Sequence, residues 1–268
     1  MTIPKTDQAS QQTRPTVGME VKNLSVSFGE TEVLHDISFT VQPKEVFVVM
    51  GPSGSGKSVM LQAIMGLLRP TSGEVLIDGR PSTDPETREK IVSAMVFQAG
   101  ALFNSMTVYD NLAFYSREHR LYNEREIRKK VTDALKMLSL EGAENKIPAE
   151  LSGGMKKRVA IARGIVMEPQ LFLYDEPTSE LDPIMAATIS EMICALGREL
   201  GITSVVVSHD RDLAFSIADR VAVLMDGHLI AIDKPAALRQ SDHPKLKEFL
   251  SPKIDAQNPR FRRNEQGS

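Results

Sequence analysis

Eight consecutive residues, Gly51–Ser58, have the types and the spacing of a phosphate-binding loop. They read GPSGSGKS, which fits the pattern Gly-x-x-x-x-Gly-Lys-Ser/Thr between an apolar run and a predicted helix. The glycines let backbone N–H groups curl around an anion, and the helix directs its positive end at the same point. Lys57 is expected to reach the β- and γ-phosphates and the Ser58 hydroxyl to ligate Mg²⁺. The pattern predicts a nucleoside triphosphate site formed by Gly51, Pro52, Ser53, Gly54, Ser55, Gly56, Lys57 and Ser58.

Two adjacent carboxylates, Asp175 and Glu176, end a second apolar run, Leu171–Tyr174. This position would place Asp175 beside the Mg²⁺ and would let Glu176 polarise an attacking water molecule. Because Pro177 follows, the pair could also be a plain strand-ending turn. The Lys-containing loop upstream favours the catalytic interpretation.

The runs around these motifs predict an α/β fold. Val46–Met50 is solidly apolar, which is typical of a strand buried on both faces of a parallel sheet. Apolar residues between Val21 and Val41 mostly alternate, with one slip near Asn23, and predict a pair of antiparallel strands. A helix is predicted from about Ser58 to Leu68, and a further strand over Gly73–Gly79.

The middle of the chain, residues 104–166, predicts a mainly helical insert. Asn123 and Glu126 have the spacing of a capping box, and apolar residues then recur at helical intervals. Ser152 has the position of a helix N-cap. After the insert, Asp182 with Pro183 predicts the start of another helix. Asp226-Gly227 predicts a two-residue hairpin.

Composition narrows the functional classes. The 268 residues carry a net charge of −3, so there is no global basic field of the kind that nucleic-acid binding requires. The single cysteine, Cys194, excludes an internal disulfide and fits a reducing compartment. No apolar run approaches the ~20 residues of a membrane span. Residues 1–18 are polar, lack the features of a signal peptide and are predicted to be disordered, so we expect a cytosolic protein.

A third motif lies between the other two, at Leu151–Met155 (LSGGM). Locally, Ser152 is only a helix N-cap before two glycines. Together with the phosphate loop and Asp175-Glu176, it resembles the signature of the ABC transporter ATP-binding subunits, and the resemblance covers residues 19–240. It implies a P-loop NTPase core with an antiparallel β subdomain and a helical subdomain, in a domain spanning 19–250.

Further positions match the family's motifs. Phe28 resembles the aromatic residue that stacks on adenine, although a core Phe is the alternative. Gln98 matches the glutamine of the Q-loop, Ser179–Asp182 the D-loop, and His209 the switch histidine. A lone His after a strand is more often structural, but here it follows Val205-Val206-Val207-Ser208.

By this resemblance the chain is an ATPase that uses ATP and Mg²⁺ and works as a homodimer. Each ATP would lie between one copy's phosphate loop and the other copy's signature. The implied catalytic residues are Glu176, His209 and Gln98. The implied Mg²⁺ ligands are Ser58, Gln98 and Asp175. Besides the phosphate loop, the implied nucleotide contacts are Phe28, Ser152, Gly153, Gly154 and Asp182.

Two residues depart from the family's pattern. Met155 stands where most members have Gln, and Glu180 replaces the common Gly of the D-loop. Neither change removes a phosphate contact or the candidate base Glu176, so we expect an active enzyme.

Features of the whole chain narrow the branch of the family. There is no long coiled-coil insertion, no second ATPase unit and too few residues after Met225 for a sizeable regulatory domain. Phe97–Phe103 (FQAGALF) and the LSGGM signature resemble the phospholipid-trafficking branch, the maintenance-of-lipid-asymmetry (Mla) and MCE-associated systems. The alternative is an importer of a polar solute of the amino-acid type.

The Mla resemblance implies several partners and a location. The partners are integral-membrane permease subunits, a small STAS-domain protein and an MCE-domain lipid-binding subunit. The location is peripheral, at the cytoplasmic face of the inner membrane in a Gram-negative-type envelope. Asn104–Tyr115 would form part of the groove that takes the permease's coupling helix, although Leu112 and Phe114 could simply pack the subdomain.

The tail, residues 251–268, has two open interpretations. It is polar and contains Pro252 and Pro259, which fits a disordered end. Arg260-Phe261-Arg262-Arg263 sets one aromatic ring among three cations, which fits a docking extension that holds a partner.

Overall fold

A computed structural model describes residues 15–251 of the chain. The predicted tail therefore lies outside the described residues apart from Ser251, as do residues 1–14 of the predicted N-terminal segment. The last residues of that segment pack on the fold. Val17 is buried, and its carbonyl oxygen accepts a 2.6 Å hydrogen bond from Oγ1 of Thr203.

Strands and helices alternate along most of the described chain. The strands within residues 15–251 are β1 (Met19–Phe28), β2 (Thr31–Val41), β3 (Val46–Met50), β4 (Ser72–Ile77), β5 (Arg80–Pro81), β6 (Ser93–Val96), β7 (Leu171–Asp175), β8 (Thr203–Ser208), β9 (Arg220–Met225) and β10 (His228–Asp233). The α-helices in the same range are α1 (Lys57–Ile64), α2 (Pro85–Lys90), α3 (Val108–Glu118), α4 (Glu124–Met137), α5 (Gly153–Val166), α6 (Pro183–Leu200), α7 (Arg211–Ile217), α8 (Pro235–Arg239) and α9 (Pro244–Leu250). The predicted α/β fold is confirmed.

An antiparallel sheet has the strand order β2-β1-β4-β5. The predicted slip between β1 and β2 is a register shift between Val21 and Leu24, where Asn23 has a φ of 47°. This bulge keeps Val21, Leu24 and Val26 buried on the same side of the sheet.

The larger sheet has the order β10-β9-β3-β8-β7-β6 and is parallel except for the β9–β10 hairpin. Asp226 and Gly227 form that hairpin's turn with φ values of 49° and 73°, both in the left-handed region that a type I′ turn requires. Every residue of β3, β7 and β8 is buried. Met50 pairs with Ser208 and Asp175 with Val207, so β3, β7 and β8 end at the same edge.

Two apolar clusters pack against opposite faces of the parallel sheet. Alternate residues such as Phe47, Val205 and Leu173 join α1 and the antiparallel sheet. The adjacent residues Val48 and Phe172 belong to the cluster on the other face, together with residues of helices α3, α4, α5, α6 and α7. A helix lying on each face explains why these strands lack polar alternation.

The elements found between residues 104 and 166 are all helical. The side chain of Asn123 accepts a hydrogen bond from the Glu126 amide while Glu126 reaches back to the Asn123 amide, so the predicted capping box is present at α4. A short 3-10 turn, Pro148–Glu150, precedes α5. Gly164 of α5 lies so close to β7 that a Cβ atom there would come within 2.4 Å of the Phe172 ring.

Two predicted elements differ in their bounds. The helix predicted to reach Leu68 ends at Ile64, because Gly66 adopts a φ of 69° and breaks the helical path. The strand predicted over Gly73–Gly79 spans Ser72–Ile77. In the part of the chain described, none of the helices has the length and apolarity to cross a membrane.

Candidate active site

The phosphate loop connects the end of β3 to the start of α1. Gly54 and Gly56 have φ values of 80° and 99°, which side chains other than glycine rarely adopt. A Cβ atom on Gly51 would lie 2.1 Å from the carbonyl oxygen of Leu224, so that position has no room for a side chain. Gly56 caps α1 without any side-chain hydrogen bond. The first amides of α1 are therefore not capped by a side chain and can bind an anion.

Lys57 lies at the mouth of this loop and is only 6% exposed. Its Nζ donates hydrogen bonds to the carbonyl oxygens of Gly51 at 2.9 Å and Pro52 at 3.0 Å. The same Nζ lies 3.4 Å from Oε1 of Glu176. The loop backbone thus holds a buried cation beside the carboxyl edge of the sheet.

Ser55 provides a test of whether the loop fits a polar ligand. Its hydroxyl is buried and has no hydrogen-bond partner within residues 15–251. Buried polar atoms without a partner are uncommon, since leaving one unpaired costs about 1–3 kcal/mol. The loop's backbone geometry, Lys57 and this hydroxyl together fit a phosphate group.

Ser58 and Asp175 bring two oxygen ligands together. Oγ of Ser58 donates a 2.9 Å hydrogen bond to Oδ1 of Asp175. Burial raises the pKa of Asp175 and the charge of Glu176 adds to this, while the bond from Ser58 and the charge of Lys57 oppose it. A hydroxyl and a carboxylate are hard oxygen ligands of the kind that Mg²⁺ accepts, with phosphate oxygens and water as its remaining ligands. The donor set fits the predicted metal.

Glu176 follows directly after β7 and has a φ of 47°. Its amide donates to the carbonyl oxygen of Val207 at 3.0 Å. Its Oε2 lies 2.8 Å from Nδ1 of His209, and accepts hydrogen bonds from the His209 amide at 3.2 Å and from Oγ of Ser208 at 3.4 Å. The carboxylate is therefore held between Lys57 on one oxygen and His209 on the other.

The structure thus brings together five of the predicted residues at one sheet edge: Lys57, Ser58, Asp175, Glu176 and His209. The other predicted residues outside the phosphate loop lie on different segments of the chain. Phe28 is 51% exposed at the end of β1, which is contrary to the alternative of a core residue. The side chain of Gln98 is exposed in the segment after β6.

The signature residues lie at the surface, at the start of α5. Ser152 and Gly153 are exposed, and Oγ of Ser152 accepts a 3.3 Å hydrogen bond from the Met155 amide as the predicted N-cap. Gly154 is buried against α6, where a Cβ atom would come within 2.6 Å of the Met185 side chain. Asp182 is exposed, and its carboxylate caps α6 by accepting from the amides of Ile184 and Met185.

The two departures from the family's pattern have different environments. Met155 is half-buried and packs against the apolar cluster around α5. Glu180 has a φ of 65°, in the left-handed region that favours glycine. A side chain there costs the backbone about 1 kcal/mol. The conformation of a Gly position is therefore kept although the residue has changed.

Lys157 contacts the backbone of two predicted site residues, although none of the sequence motifs indicated it. This residue is 7% exposed, and its Nζ contacts the carbonyl oxygens of Gln98 and Glu176 and Oγ of Ser179. A signal was present in the sequence, because the apolar Ile161 follows Lys157 by four residues, and the structure buries both. That spacing places it on an inward face of the helix.

Comparison with known proteins agrees with this geometry. The sequence profile of a family described as ABC transporter matches residues 34–179. A probable ribonucleotide transport ATP-binding protein, mkl, of Mycobacterium leprae is 40% identical over 88% of this chain and 69% of its own length. The intermembrane phospholipid transport system ATP-binding protein MlaF of Haemophilus influenzae is 38% identical over 88% of this chain and 91% of its own length.

Solved structures share the fold. The dimeric structure of MJ0796, a bacterial ABC transporter cassette, aligns with a TM-score of 0.73 at 34% identity, over 81% of this chain and 98% of that one. The matched profile includes the phosphate loop, the signature and the Asp175-Glu176 pair. Because the chain contains these three motifs within this fold, it belongs to the ABC transporter family, as an ATP-binding subunit.

Proposed function

We propose that this chain hydrolyses Mg²⁺-ATP at the edge formed by β3, β7 and β8 and thereby drives phospholipid movement by a transporter. One observation supports the chemistry most directly. The Glu176 carboxylate, beside the phosphate loop, contacts Lys57 through one oxygen and His209 through the other. A base, a cation and a second polar group therefore meet where a terminal phosphate would be bound.

In this proposal the loop binds the triphosphate through its backbone. The amides of Gly51–Ser58 and the start of α1 supply aligned N–H groups, and Lys57 adds a positive charge. The exposed ring of Phe28 stacks on the adenine base. Such contacts hold the substrate in one orientation, which is the larger part of catalysis in phosphoryl transfer.

Mg²⁺ would be held by Ser58 and Asp175, with Gln98 as a further ligand. When bound, it neutralises charge on the phosphate oxygens. Asp175 is positioned for this by its hydrogen bond from Ser58. Gln98 is exposed in the segment after β6, so its side chain is accessible to a ligand.

Glu176 acts as the general base. It accepts a proton from the attacking water, while its backbone amide is fixed by Val207 at the end of β8. His209 orients the carboxylate through the 2.8 Å contact at Nδ1 and contacts the γ-phosphate through its exposed ring. The two residues form one hydrogen-bonded unit.

Two copies complete each site in this proposal. Ser152 and Gly153 are exposed at the N-terminus of α5, so their amides and hydroxyl are available to the nucleotide bound by a second copy. Asp182, the last residue of the predicted D-loop, is also exposed and joins that contact. The MJ0796 relative, solved as a dimer, supports this arrangement.

Phospholipid is the proposed cargo because the chain matches nearly the full length of a relative named for phospholipid transport, MlaF. The alignment spans 91% of MlaF, whereas it spans 69% of mkl, whose name refers to ribonucleotide transport. The proposal includes peripheral attachment to a permease at the cytoplasmic face of the inner membrane. A STAS-domain protein and an MCE-domain lipid-binding subunit complete the assembly.

Co-purification tests the cargo and the partners. The full chain is recovered from native membranes in mild detergent, and proteins and lipids are identified by mass spectrometry. We expect a multi-spanning permease, an MCE-domain protein and enriched phospholipid. Recovery with a periplasmic amino-acid-binding protein would support the polar-solute importer instead and refute the phospholipid proposal.

A further inference from the structure

Lys157 joins two parts of the site that are distant in sequence. It extends from α5, and its Nζ donates to the carbonyl oxygen of Gln98 in a short hydrogen bond. The same Nζ lies 3.4 Å from the carbonyl oxygen of Glu176 and 3.3 Å from Oγ of Ser179. One ammonium group therefore bridges the segment after β6 and the segment after β7.

The carbonyl oxygen of Glu176 accepts hydrogen bonds from several donors. Besides Lys157, it accepts hydrogen bonds from the Ser179 amide at 3.1 Å and from Oγ of Ser179 at 2.9 Å. These bonds hold a residue whose φ of 47° is in the left-handed region. A non-glycine residue persists in this conformation only where its surroundings determine it. The backbone that directs the Glu176 carboxylate thus depends on this set of donors.

The chemistry of Lys157 indicates a role beyond packing. Burial lowers the pKa of Lys157, while the charges of Glu180, Asp175 and Glu176 raise it. A buried ammonium group is costly where a neutral side chain of similar length would fill the same space. Its contacts are with two carbonyl oxygens and one hydroxyl, so it forms directional bonds at the position where the two segments meet.

A second cation of α5 supports the same segment. Arg163 donates hydrogen bonds to the carbonyl oxygens of Ala101 at 2.8 Å and Gly100 at 3.3 Å. The segment 98–101 is therefore attached to α5 at two places, and at only one of them, Lys157, does the bond continue to Glu176.

We propose that Lys157 is a positioning residue that couples the backbone at Gln98 to the backbone at Glu176. A displacement of the 98–101 segment changes the aim of the Glu176 carboxylate through the shared ammonium group. The effect is on turnover and leaves nucleotide affinity unchanged, because Lys157 does not contact the phosphate loop. This inference rests on the proposed function, in which Glu176 is the base.

The experiment compares three full-length variants with the wild type. Lys157→Met removes the charge at similar length, and Lys157→Arg keeps a cationic donor. Lys156→Met is the control, because the side chain of Lys156 is exposed. ATP affinity, kcat, KM and melting temperature are measured for each. Hydrogen–deuterium exchange of residues 97–103 and 176–180, followed without nucleotide, gives a readout that does not depend on activity.

We expect Lys157→Met to lower kcat by roughly ten- to a hundredfold, since a small misplacement of a catalytic group has effects of this order. ATP affinity and KM should stay within about twofold of the wild-type values. Loss of a nucleotide contact that contributes about 1.4 kcal/mol would instead change the affinity about tenfold. Exchange in both segments should rise together. Lys157→Arg should recover part of kcat and protection, and Lys156→Met should resemble the wild type.

Either of two results would overturn the inference. One is wild-type kcat and exchange in Lys157→Met. The other is an equal loss of affinity, melting temperature and kcat that Lys157→Arg does not restore, which is the behaviour of a purely structural residue. Glu176→Gln, measured in parallel, separates the two proposals. If it hydrolyses ATP normally, the proposed function fails, whereas a normal Lys157→Met beside an inactive Glu176→Gln refutes only the coupling.

Discussion

Nδ1 of His209 lies 2.8 Å from Oε2 of Glu176, and the backbone amide of His209 donates to the same oxygen at 3.2 Å. The two residues follow β7 and β8, which are adjacent parallel strands, so sheet register brings them together. The histidine ring remains exposed while the carboxylate is buried. Both groups of His209 therefore hold the same oxygen of the proposed base, and this contact underlies the first prediction.

Glu176→Gln should reduce ATP hydrolysis by about 10²–10⁴-fold, because the amide retains the shape but cannot act as a general base. ATP binding should persist, and the variant should elute as a dimer in ATP and Mg²⁺ during size exclusion. Steady-state hydrolysis and nucleotide affinity are the measurements, with the exposed Glu191→Gln on α6 as control. Near-normal hydrolysis would assign the base elsewhere.

Lys57→Ala should weaken ATP affinity by about ten- to a hundredfold, since a hydrogen bond to a charged group contributes about 1.5–3 kcal/mol. The change also removes the donor that contacts Gly51 and Pro52. Calorimetric titration with ATP checks this, with the exposed Lys90→Ala as control. Unchanged affinity would exclude the phosphate loop as the binding site.

Asp175→Asn should raise the melting temperature of the nucleotide-free protein at neutral pH. The folded pKa of Asp175 is raised, so the folded state holds its proton to higher pH than the unfolded chain does, and ionisation opposes folding. Below both pKa values the carboxyl group is protonated in both states and the difference disappears. Melting curves from acidic to neutral pH should therefore diverge in favour of the variant.

The same variant should lose the added stabilisation that Mg²⁺ gives in the presence of ATP, because an amide is a weaker metal ligand than a carboxylate. A fall in melting temperature at neutral pH would contradict the electrostatic argument. Retention of the Mg²⁺ effect would remove Asp175 from the proposed metal site.

Ser152→Arg should leave ATP binding to the isolated chain within about twofold while lowering turnover by about a hundredfold or more, as losses of transition-state donors do. Ser152 is exposed, so a long side chain fits in the monomer but obstructs a second copy. Affinity and hydrolysis are measured on the same preparation. Loss of ATP binding by the monomer would refute a site completed in trans.

Ser105→Glu should uncouple transport from ATP hydrolysis while ATP affinity is unchanged. Ser105 is exposed within the predicted docking segment, whereas Leu112 is buried and Phe114 is tilted against Phe103 with ring centroids 4.8 Å apart. Transport and hydrolysis by the reconstituted complex are compared with those of Ser216→Glu, an exposed serine on α7. Normal transport would leave the segment with a packing role only.

Local rules were enough to predict the elements that hold the site. The phosphate loop, the capping box at Asn123 and the Asp226-Gly227 turn each depend on a few neighbouring residues, and each is found where the pattern places it. The buried strand at Val46–Met50 is recognisable because a strand covered on both faces has no polar alternation.

The remaining features arise from contacts between distant parts of the chain. Lys157 contacts Gln98, 59 residues away, and a periodicity cannot identify the partner of a buried charge. The packing of Ser82 on Gly66 is another such contact, because the Ser82 carbonyl oxygen lies 2.3 Å from the position that a Cβ atom would take. The sequence shows a glycine there, but its contact becomes visible only when the segments have packed.

Two close contacts of α5 affect how precisely this helix positions the residues it carries. A Cβ atom at Gly154 would lie 2.6 Å from the flexible Met185 side chain, and one at Gly164 would lie 2.4 Å from the Phe172 ring. Ten residues separate these glycines, which corresponds to about 15 Å along the helix axis. Two close contacts this far apart restrict the tilt of α5 as well as its distance from its neighbours. Lys157 and Ser152 are thus carried by a helix that is held against neighbouring elements at two separate points along its length.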